Sequence, residues 1–323
     1  MRLLIERGFS RLPIAERMLA ANPKLELLTS PSQTPTGATP FIMPETSTAD
    51  REATLNALVE EHHIDAFWPQ GMARHDLSGL KCAVHAAATP EVISLVDDKD
   101  AFMRWLGEDP HRPDQIEVLG ADGVEREYAQ RNAEGRNVCV KPVIGVNGSG
   151  YWRLMPEGGT KFLDDPEPRE IDASVWLTAM RIQERESQQR RLLVMDWLPG
   201  PEVSLDILCW NGKPLIHAAR TKIDANHQRI ESDHAVVGHA HSIAKLLKLH
   251  GIVSMQYRLD EDGAWRMLEV NPRPAGGSIH SEDAGFGIIS QWTGLLSEHV
   301  GPDDVKQVYA SHTVRFVRMA NII

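Results

Sequence analysis

The stretch VCVKPVIGVNGSGYWRLM, residues 138–155, joins two apolar segments through a glycine-rich connection. The first segment is typical of a β-strand ending in Lys141, and the second of a strand beginning near Tyr151. Glycines permit positive φ angles and a close approach of backbone N–H groups to an anion, while a lysine adds positive charge. The stretch predicts a hairpin that covers phosphate groups, although an ordinary hairpin turn would leave a similar pattern. The connection contains Gly145, Gly148, Ser149 and Gly150.

The stretch VMDWLPGPEVSLDI, residues 194–207, presents Glu202 at a turn between two apolar strands. A carboxylate at such a fixed corner can accept hydrogen bonds from both hydroxyls of a ribose. The main chain of the preceding strand offers a donor and an acceptor to the edge of an adenine. A solvated turn residue is the alternative interpretation of Glu202.

The stretch WRMLEVNPRPAGGS, residues 265–278, places Glu269 and Asn271 two positions apart in a strand, so both side chains point to one face. Their oxygens could share a hard cation, and an acidic residue inside an apolar run costs free energy unless it is paired or metal-bound. Arg273 and the following glycine loop, residues 276–278, could face the same phosphates. The alternative is that Glu269 is a polar residue before a turn.

Hydrophobic periodicity divides the rest of the chain into three regions. Residues 1–94 alternate short apolar runs with helical periods, which predicts a small parallel α/β sheet, and the absence of GxGxxG argues against NAD. From residue 95 onwards, Asp97 or Asp98 could cap a helix, and another helix is expected over residues 173–188. Residues 191–323 are mostly strand-like, with one helix near residues 239–250.

Composition limits the class of protein. The chain has 323 residues, of which 42% are hydrophobic, enough for two or three lobes. A formal charge of −11 opposes non-specific binding to nucleic acid or to an anionic membrane. The three cysteines are far apart, and no stretch resembles a signal peptide or a membrane span. We expect a cytoplasmic protein with no nucleic-acid or membrane partner.

The order of Lys99, Lys141, the glycine-rich turn, LPGPE and EVNPR resembles the ATP-grasp superfamily, over about residues 96–281. The similarity extends to carboxylate-amine ligases and to the motifs of carbamoyl-phosphate synthetase and biotin carboxylase. It implies an α/β and α+β fold with a Rossmann-like preATP-grasp lobe at residues 1–94. A small lobe at residues 95–190 and a large lobe at residues 191–323 would hold ATP between them.

The resemblance also assigns roles to individual residues. The residues implied to bind ATP are Lys99, Lys141, Gly145, Gly148, Ser149, Gly150, Met195, Asp196, Trp197, Leu198 and Glu202. The residues implied to bind metal are Gln256, Glu269 and Asn271. Arg273 would steady the transferred phosphoryl group, with Lys141 and Glu269 also catalytic. Arg220 and Arg258, near strand ends, are further candidates for the acid or acyl phosphate, and His280 for a substrate contact.

Two positions depart from the family pattern. The first metal ligand is usually acidic, and Gln256 stands there with one charge less, although an amide oxygen can still ligate magnesium. Asp196 replaces a hinge glutamate found in many members, and the main-chain contacts there should survive the change.

The function expected from this resemblance is ATP-dependent ligation of a small-molecule carboxylate to an amine through an acyl phosphate, with Mg²⁺ or Mn²⁺. One alternative is a bicarbonate-activating enzyme related to carboxylases or carbamoyl-phosphate synthetase, which Gln256 slightly favours. Another is an ATP-binding switch without catalysis, which the retained Lys99, Lys141, Glu269, Asn271 and Arg273 disfavour. The identities of the acid and the amine stay open. A homodimer is expected only because many members of the family dimerise.

Overall fold

The computed structural model describes residues 1–6, 11–29, 34–42, 50–70, 74–145, 148–157, 163, 169–224 and 226–315. The chain forms two compact units. The first consists of Met1–Ser94, Pro201–Tyr257 and Glu269–Ile323, and the second of Leu95–Gly200 and Arg258–Leu268. The division into three lobes at residues 94 and 190 stays a prediction.

Sixteen strands and nine α-helices are formed by the described residues. Strands β1 to β16 are Arg2–Ile5, Glu26–Thr29, Thr39–Pro40, Ala66–Trp68, Ala83–Val84, Gln115–Leu119, Val138–Pro142, Trp152–Met155, Glu170–Asp172, Arg191–Asp196, Glu202–Trp210, Lys213–Lys222, His227–Glu231, Gly251–Leu259, Trp265–Asn271 and Ser311–Arg315. Helices α1 to α9 are Arg11–Ala21, Arg51–Glu61, Pro90–Asp97, Lys99–Leu106, Gly120–Ala133, Ala173–Glu186, Val237–Leu246, Ser278–Ser281 and Ile288–Leu296. A π-helical turn, Glu282–Phe286, lies between α8 and α9.

The first unit begins with a parallel five-stranded sheet in the order β3-β2-β1-β4-β5. The central strand RLLI pairs through Leu3 with Leu27 on one side and Ala66 on the other. Short apolar strands of this kind are stable when both faces of the sheet are covered. The predicted Rossmann-like sheet at the start of the chain is therefore confirmed.

The first unit also contains a six-stranded sheet in the order β15-β14-β11-β12-β13-β16. Seven consecutive residues of β11, from Val203 to Cys209, are buried, so both faces of this strand are covered. The apolar core on β11 and β12 includes Leu208 and Ile216 and is continuous with Trp292 of α9. A polar residue inside β11 must consequently find its partners within the protein.

The second unit is built on a five-stranded sheet in the order β6-β10-β7-β8-β9. Its pairs are antiparallel except for β8 with β9. One face packs on α5 and α6 through a core that includes Val140, Val194 and Trp176. Side chains alternate along a strand, so Cys139, Lys141 and the residues paired with them occupy the opposite face.

The start of α4 agrees with the predicted cap. Asp98 is the N-cap, and its Oδ1 accepts hydrogen bonds from Asp100 N at 3.1 Å and Ala101 N at 2.9 Å. Its other oxygen accepts a bond of 2.7 Å from Arg191. Among the described residues, no helix combines the length and the apolar character needed to cross a membrane.

Replacing the α4 cap should lower stability in a pH-dependent way. Burial alone would raise the pKa of Asp98, but the Ala101 N–H and the Arg191 guanidinium outweigh it and lower the pKa. Asp98→Ala should cost about 1 to 2 kcal/mol of unfolding free energy at pH 7 in urea titrations. A depressed carboxyl pKa stabilises above the unfolded value, so the difference from wild type should shrink as pH falls below about 4. Asp97→Ala is the matched control, and an equal loss there would contradict the assignment.

Candidate functional site

The glycine-rich connection lies in a hairpin of the second unit. Strands β7 and β8 pair antiparallel with Val138 opposite Leu154, so the predicted hairpin is present. Gly148 and Gly150 have φ angles of 64° and 74°, which only glycine adopts readily. A Cβ added to Gly150 would lie 2.8 Å from Pro142 Cγ, so the return of the chain requires this glycine. Residues 146–147 of the predicted phosphate loop lie outside the described residues.

Lys99 and Lys141 are attached to the same hairpin. Lys99, the first residue of α4, donates from Nζ to Gly145 O at 2.8 Å and from its backbone N to Val143 O at 3.2 Å. Lys141 lies on β7 opposite Leu193, two residues before Val143. Two cations separated by 42 positions in the sequence are therefore attached to the same end of β7, an arrangement compatible with an anion site.

The segment 195–198, implied to bind adenine, comprises the last two residues of β10 and the two residues after it, in the second unit. Met195 and Leu198 are buried with Cys139, and Tyr151, Trp197 and Leu268 pack against them. This apolar cluster of six residues is called the base cluster below. Burial raises the pKa of the Cys139 thiol to about 11, so the sulfur is a neutral apolar surface rather than a nucleophile.

Asp196 uses its side chain for structure. Its Oδ1 accepts hydrogen bonds of 2.9 Å from both Arg131 Nη1 and Arg136 Nε. Arg131 is 5% exposed and also bonds Asp114. Sequence reasoning missed both arginines, which lie in and just after α5, more than 55 residues before Asp196. Because the Asp196 carboxylate is bonded to two arginines, we expect any contact of Asp196 with a nucleotide to come from its main chain.

Glu202 lies at the start of β11 in the first unit. Its Oε1 accepts a hydrogen bond of 2.6 Å from Lys222 Nζ, at the end of the neighbouring strand β12. The register pairs Val203 with Thr221, which sets these two side chains beside each other. Lys222 was missed from the sequence, and only knowledge of the β11–β12 register would have revealed it. The proposed ribose carboxylate is thus accompanied by a half-exposed cation.

Glu269 and Asn271 share one face of β15, as predicted. Asn271 Nδ2 donates to Glu269 Oε1 at 2.7 Å, and both side chains are half-buried. Gln256, also half-buried, lies on the neighbouring strand β14. These three side chains supply a carboxylate and two amide oxygens, the donor types that Mg²⁺ prefers. The residues therefore fit a magnesium ion, with less negative charge than a site made of carboxylates.

Arg273 follows β15 within two residues. Its Nη1 donates to Pro274 O at 3.2 Å, and the side chain is half-buried. The next turn is closed by Ser278 Oγ, which accepts a hydrogen bond of 2.9 Å from Ala275 N. His280 lies one turn further on, and burial together with Arg220 lowers its pKa, so its imidazole is neutral at pH 7.

Arg220 is held in a buried network around Asp206. Arg220 Nε donates to Asp206 Oδ2 at 2.6 Å, and Nη2 donates to Oδ1 at 3.2 Å. Ser278 Oγ and Ser281 Oγ each donate to the same carboxylate at 2.8 Å. A Cβ on Gly277 would overlap Arg220 Nη1, so the loop packs directly on the guanidinium. Arg220 is only 4% exposed, and its observed contacts are structural.

Arg258 is also engaged by its surroundings. In the second unit its Nε donates to Gly200 O at 3.0 Å, and its guanidinium carbon lies 6.0 Å from the centre of the Trp197 ring. The bond ties β14 to the turn after the base cluster. For Arg220 and Arg258 alike, a role in binding the acid or acyl phosphate stays a prediction.

Comparison with known proteins gives two findings that bear on this arrangement. Residues 188–320 match the model of a family described as "ATP-grasp in the biosynthetic pathway with Ter operon". The fold matches an L-amino acid ligase from Bacillus licheniformis with a TM-score of 0.62 and 15% identity, covering 94% of this chain and 77% of that one. The chain has the ATP-grasp fold.

Two further solved structures share the ATP-grasp fold. A D-alanine–D-alanine ligase from Bacillus anthracis, complexed with ATP, matches with a TM-score of 0.58 and 16% identity over 92% of this chain and 96% of that one. A biotin carboxylase from Campylobacter jejuni matches with a TM-score of 0.59 and 14% identity over 94% and 73%. At these identities the likeness concerns the fold, and no curated protein matches the sequence of this chain.

Removing the Asp206 carboxylate should destabilise the protein strongly. Asp206→Ala would leave the Arg220 guanidinium buried without a counter-charge, at a cost of about 3 to 5 kcal/mol of unfolding free energy. Ser281→Ala removes a single neutral donor and should cost about 1 to 2 kcal/mol. Urea unfolding followed by circular dichroism measures both. A loss below about 1 kcal/mol for Asp206→Ala would refute the view that this pair anchors the loop.

Proposed function

We propose that this ATP-grasp protein is an ATP-dependent ligase that joins a carboxylate to an amine or a related nucleophile, with ADP and phosphate as products. The observation that carries the proposal is the hydrogen bond between Asn271 and Glu269, which fixes two oxygen donors on one face two residues before Arg273. The named relatives in structure, an L-amino acid ligase and a D-alanine–D-alanine ligase, support the reaction class.

The second unit supplies the proposed contacts to the nucleotide. Lys99 and Lys141 bind phosphate oxygens, and the backbone of the turn at Gly148 and Gly150 covers them, because its positive φ angles expose N–H groups. The base cluster accepts the adenine ring, since burial of an aromatic base against apolar side chains is favourable. Glu202 of the first unit takes the ribose hydroxyls as an acceptor.

The first unit supplies the proposed metal ligands. Glu269, Asn271 and Gln256 hold Mg²⁺, or Mn²⁺ as a substitute, through oxygen atoms. When bound, the ion neutralises charge on the phosphate oxygens. The hydrogen bond from Asn271 fixes the rotamer of Glu269, so the carboxylate would need little rearrangement to bind the ion.

The proposed reaction has two steps. A carboxylate oxygen of the acid attacks the γ-phosphorus of ATP while the bond to the β-phosphate oxygen breaks, which gives an acyl phosphate and ADP. The amine then attacks the carbonyl carbon, phosphate leaves with the bonding electrons, and the nitrogen loses a proton. Arg273 and the two lysines act by positioning and by stabilising charge, because phosphoryl transfer needs these effects more than a protein acid or base.

Loss of the Glu269 charge should abolish turnover without unfolding the chain. Glu269→Gln keeps the shape but weakens the cation site, so Mg²⁺-dependent release of ADP should fall by about 100-fold or more. Coupled ADP detection gives the rate, and circular dichroism gives the fold. Glu61→Gln, at the exposed last residue of α2, is the matched control. Near-normal turnover in Glu269→Gln would remove the metal assignment.

Loss of Lys141 should weaken the response to ATP in particular. Lys141→Ala removes one charge-assisted contact to phosphate, so the ATP concentration for half-maximal rate should rise by about tenfold. The surface variant Lys213→Ala, which breaks an exposed pair with Asp303, should leave it unchanged. If Lys141→Ala instead altered only the dependence on the acid, Lys141 would belong to the acid site.

An ADP-release assay with pooled amino acids tests the reaction class. Dependence on both an acid and an amine supports the ligase, whereas dependence on bicarbonate supports the carboxylase alternative. Tight ATP binding without ADP release under any of these conditions supports a non-catalytic switch and refutes the proposal.

A further inference from the structure

Gln115 has an unusual environment for a carboxamide. The residue is 9% exposed, and its Oε1 and Nε2 are both buried without a hydrogen-bond partner among the described residues. A buried amide that lacks both bonds is destabilising, and natural proteins rarely keep one without a reason. Strand β6, of which Gln115 is the first residue, lies entirely within the described part of the second unit.

The position of Gln115 connects it with the base cluster. On the edge strand β6 it is the residue opposite Met195, and directly opposed residues of antiparallel strands project to the same face. Met195 is a buried member of the base cluster. Gln115 also lines a cavity of about 550 Å³ together with Trp197 and Leu198, and this volume lies within the range of small-molecule sites.

Two polar side chains near Trp197 have partners of their own. The Asp196 carboxylate is held by Arg131 and Arg136, and the Arg153 guanidinium stacks 3.6 Å from the centre of the Trp197 ring. The carboxamide of Gln115 therefore differs from its neighbours in having an acceptor and a donor for which the described residues provide no partner.

We infer that Gln115 is a specificity residue that reads the adenine base, an assignment that rests on the proposed function. A carboxamide presents an acceptor beside a donor, and adenine presents the matching 6-amino donor beside a ring-nitrogen acceptor. Oε1 accepts from the 6-amino group, and Nε2 donates to the ring nitrogen. The base cluster supplies apolar contact, and Gln115 supplies the discrimination.

The test compares two nucleotides that differ only in the 6-amino group. Isothermal titration calorimetry with Mg²⁺ measures the Kd of ADP and of purine riboside 5′-diphosphate for the full-length chain. Wild type should bind ADP about tenfold or more tightly, because the analogue leaves Oε1 unpaired. Gln115→Met keeps the length of the side chain, and its preference for ADP should fall to within about twofold. Gln130→Met, on the exposed surface of α5, should keep the wild-type preference.

A stability measurement separates base recognition from a structural role. Without nucleotide, Gln115→Met should have a Tm equal to or above that of wild type, because an apolar side chain replaces a buried amide without partners. A lower Tm with unchanged preference for ADP would mean that Gln115 serves the fold, and would overturn the inference.

The other possible binding results distinguish failure of the Gln115 assignment from failure of the ligase proposal. Wild type that binds both nucleotides equally well, or Gln115→Met that retains the preference, overturns the role of Gln115 while leaving the ligase proposal intact. Failure of wild type to bind ADP at all overturns both, and this result is distinct from the others.

Discussion

The buried carboxylate of Asp206 is the constraint on which the site in the first unit depends. It sits in the middle of β11, with no exposed surface, where an ionised group is tolerated only when its oxygens are fully hydrogen-bonded. Arg220 reaches it from β12, and two serines reach it from α8. The segment that carries Arg273 is thereby anchored at both ends, by β15 before it and by Asp206 after it. The contact proposed for Arg273 with a transferred phosphoryl group would gain from such fixed surroundings.

In the second unit the corresponding constraint is the burial of Arg131. A guanidinium that is 5% exposed needs carboxylates around it, and Asp114 and Asp196 supply them. The burial of Arg131 therefore determines which groups of residues 195–198, the segment proposed to bind adenine, are available to a ligand. Because the Asp196 side chain is committed to arginines, recognition of a base falls to the main chain and to side chains on neighbouring strands. The amide of Gln115 on β6, for which the described part of the chain provides no hydrogen-bond partner, is such a side chain.

The features that could be predicted from the sequence are those set by local periodicity. Glu269 and Asn271 share a face because they are two residues apart in a strand, and the cap at Asp98 follows from the polar residue before an amphipathic helix. The partners of Asp196, Glu202 and Asp206 could not be predicted. They lie between 14 and 75 residues away, and only the strand register and the packing of α5 and α8 bring them close.

The arginine at position 220 shows why residue type and placement near a strand end do not define a binding role. From the sequence alone, an arginine at an exposed strand end cannot be distinguished from one at a buried position two residues earlier, because in both cases a cation follows an apolar run. What separates them is whether the opposite strand supplies a carboxylate, and Asp206 does. Gln115 shows the converse, because a glutamine in an apolar strand signals nothing until its missing partners are seen.

The partners of the cations give a physical criterion for function in a chain with an excess of acidic residues. Arg131, Arg136 and Arg220 bond to carboxylates, which offset part of their charge. Lys99 Nζ and Arg273 Nη1 also donate to backbone carbonyls, those of Gly145 and Pro274. A carbonyl holds a cation in position through a dipole and does not neutralise it. The two kinds of partner therefore differ in how far they offset the charge of the cation they hold.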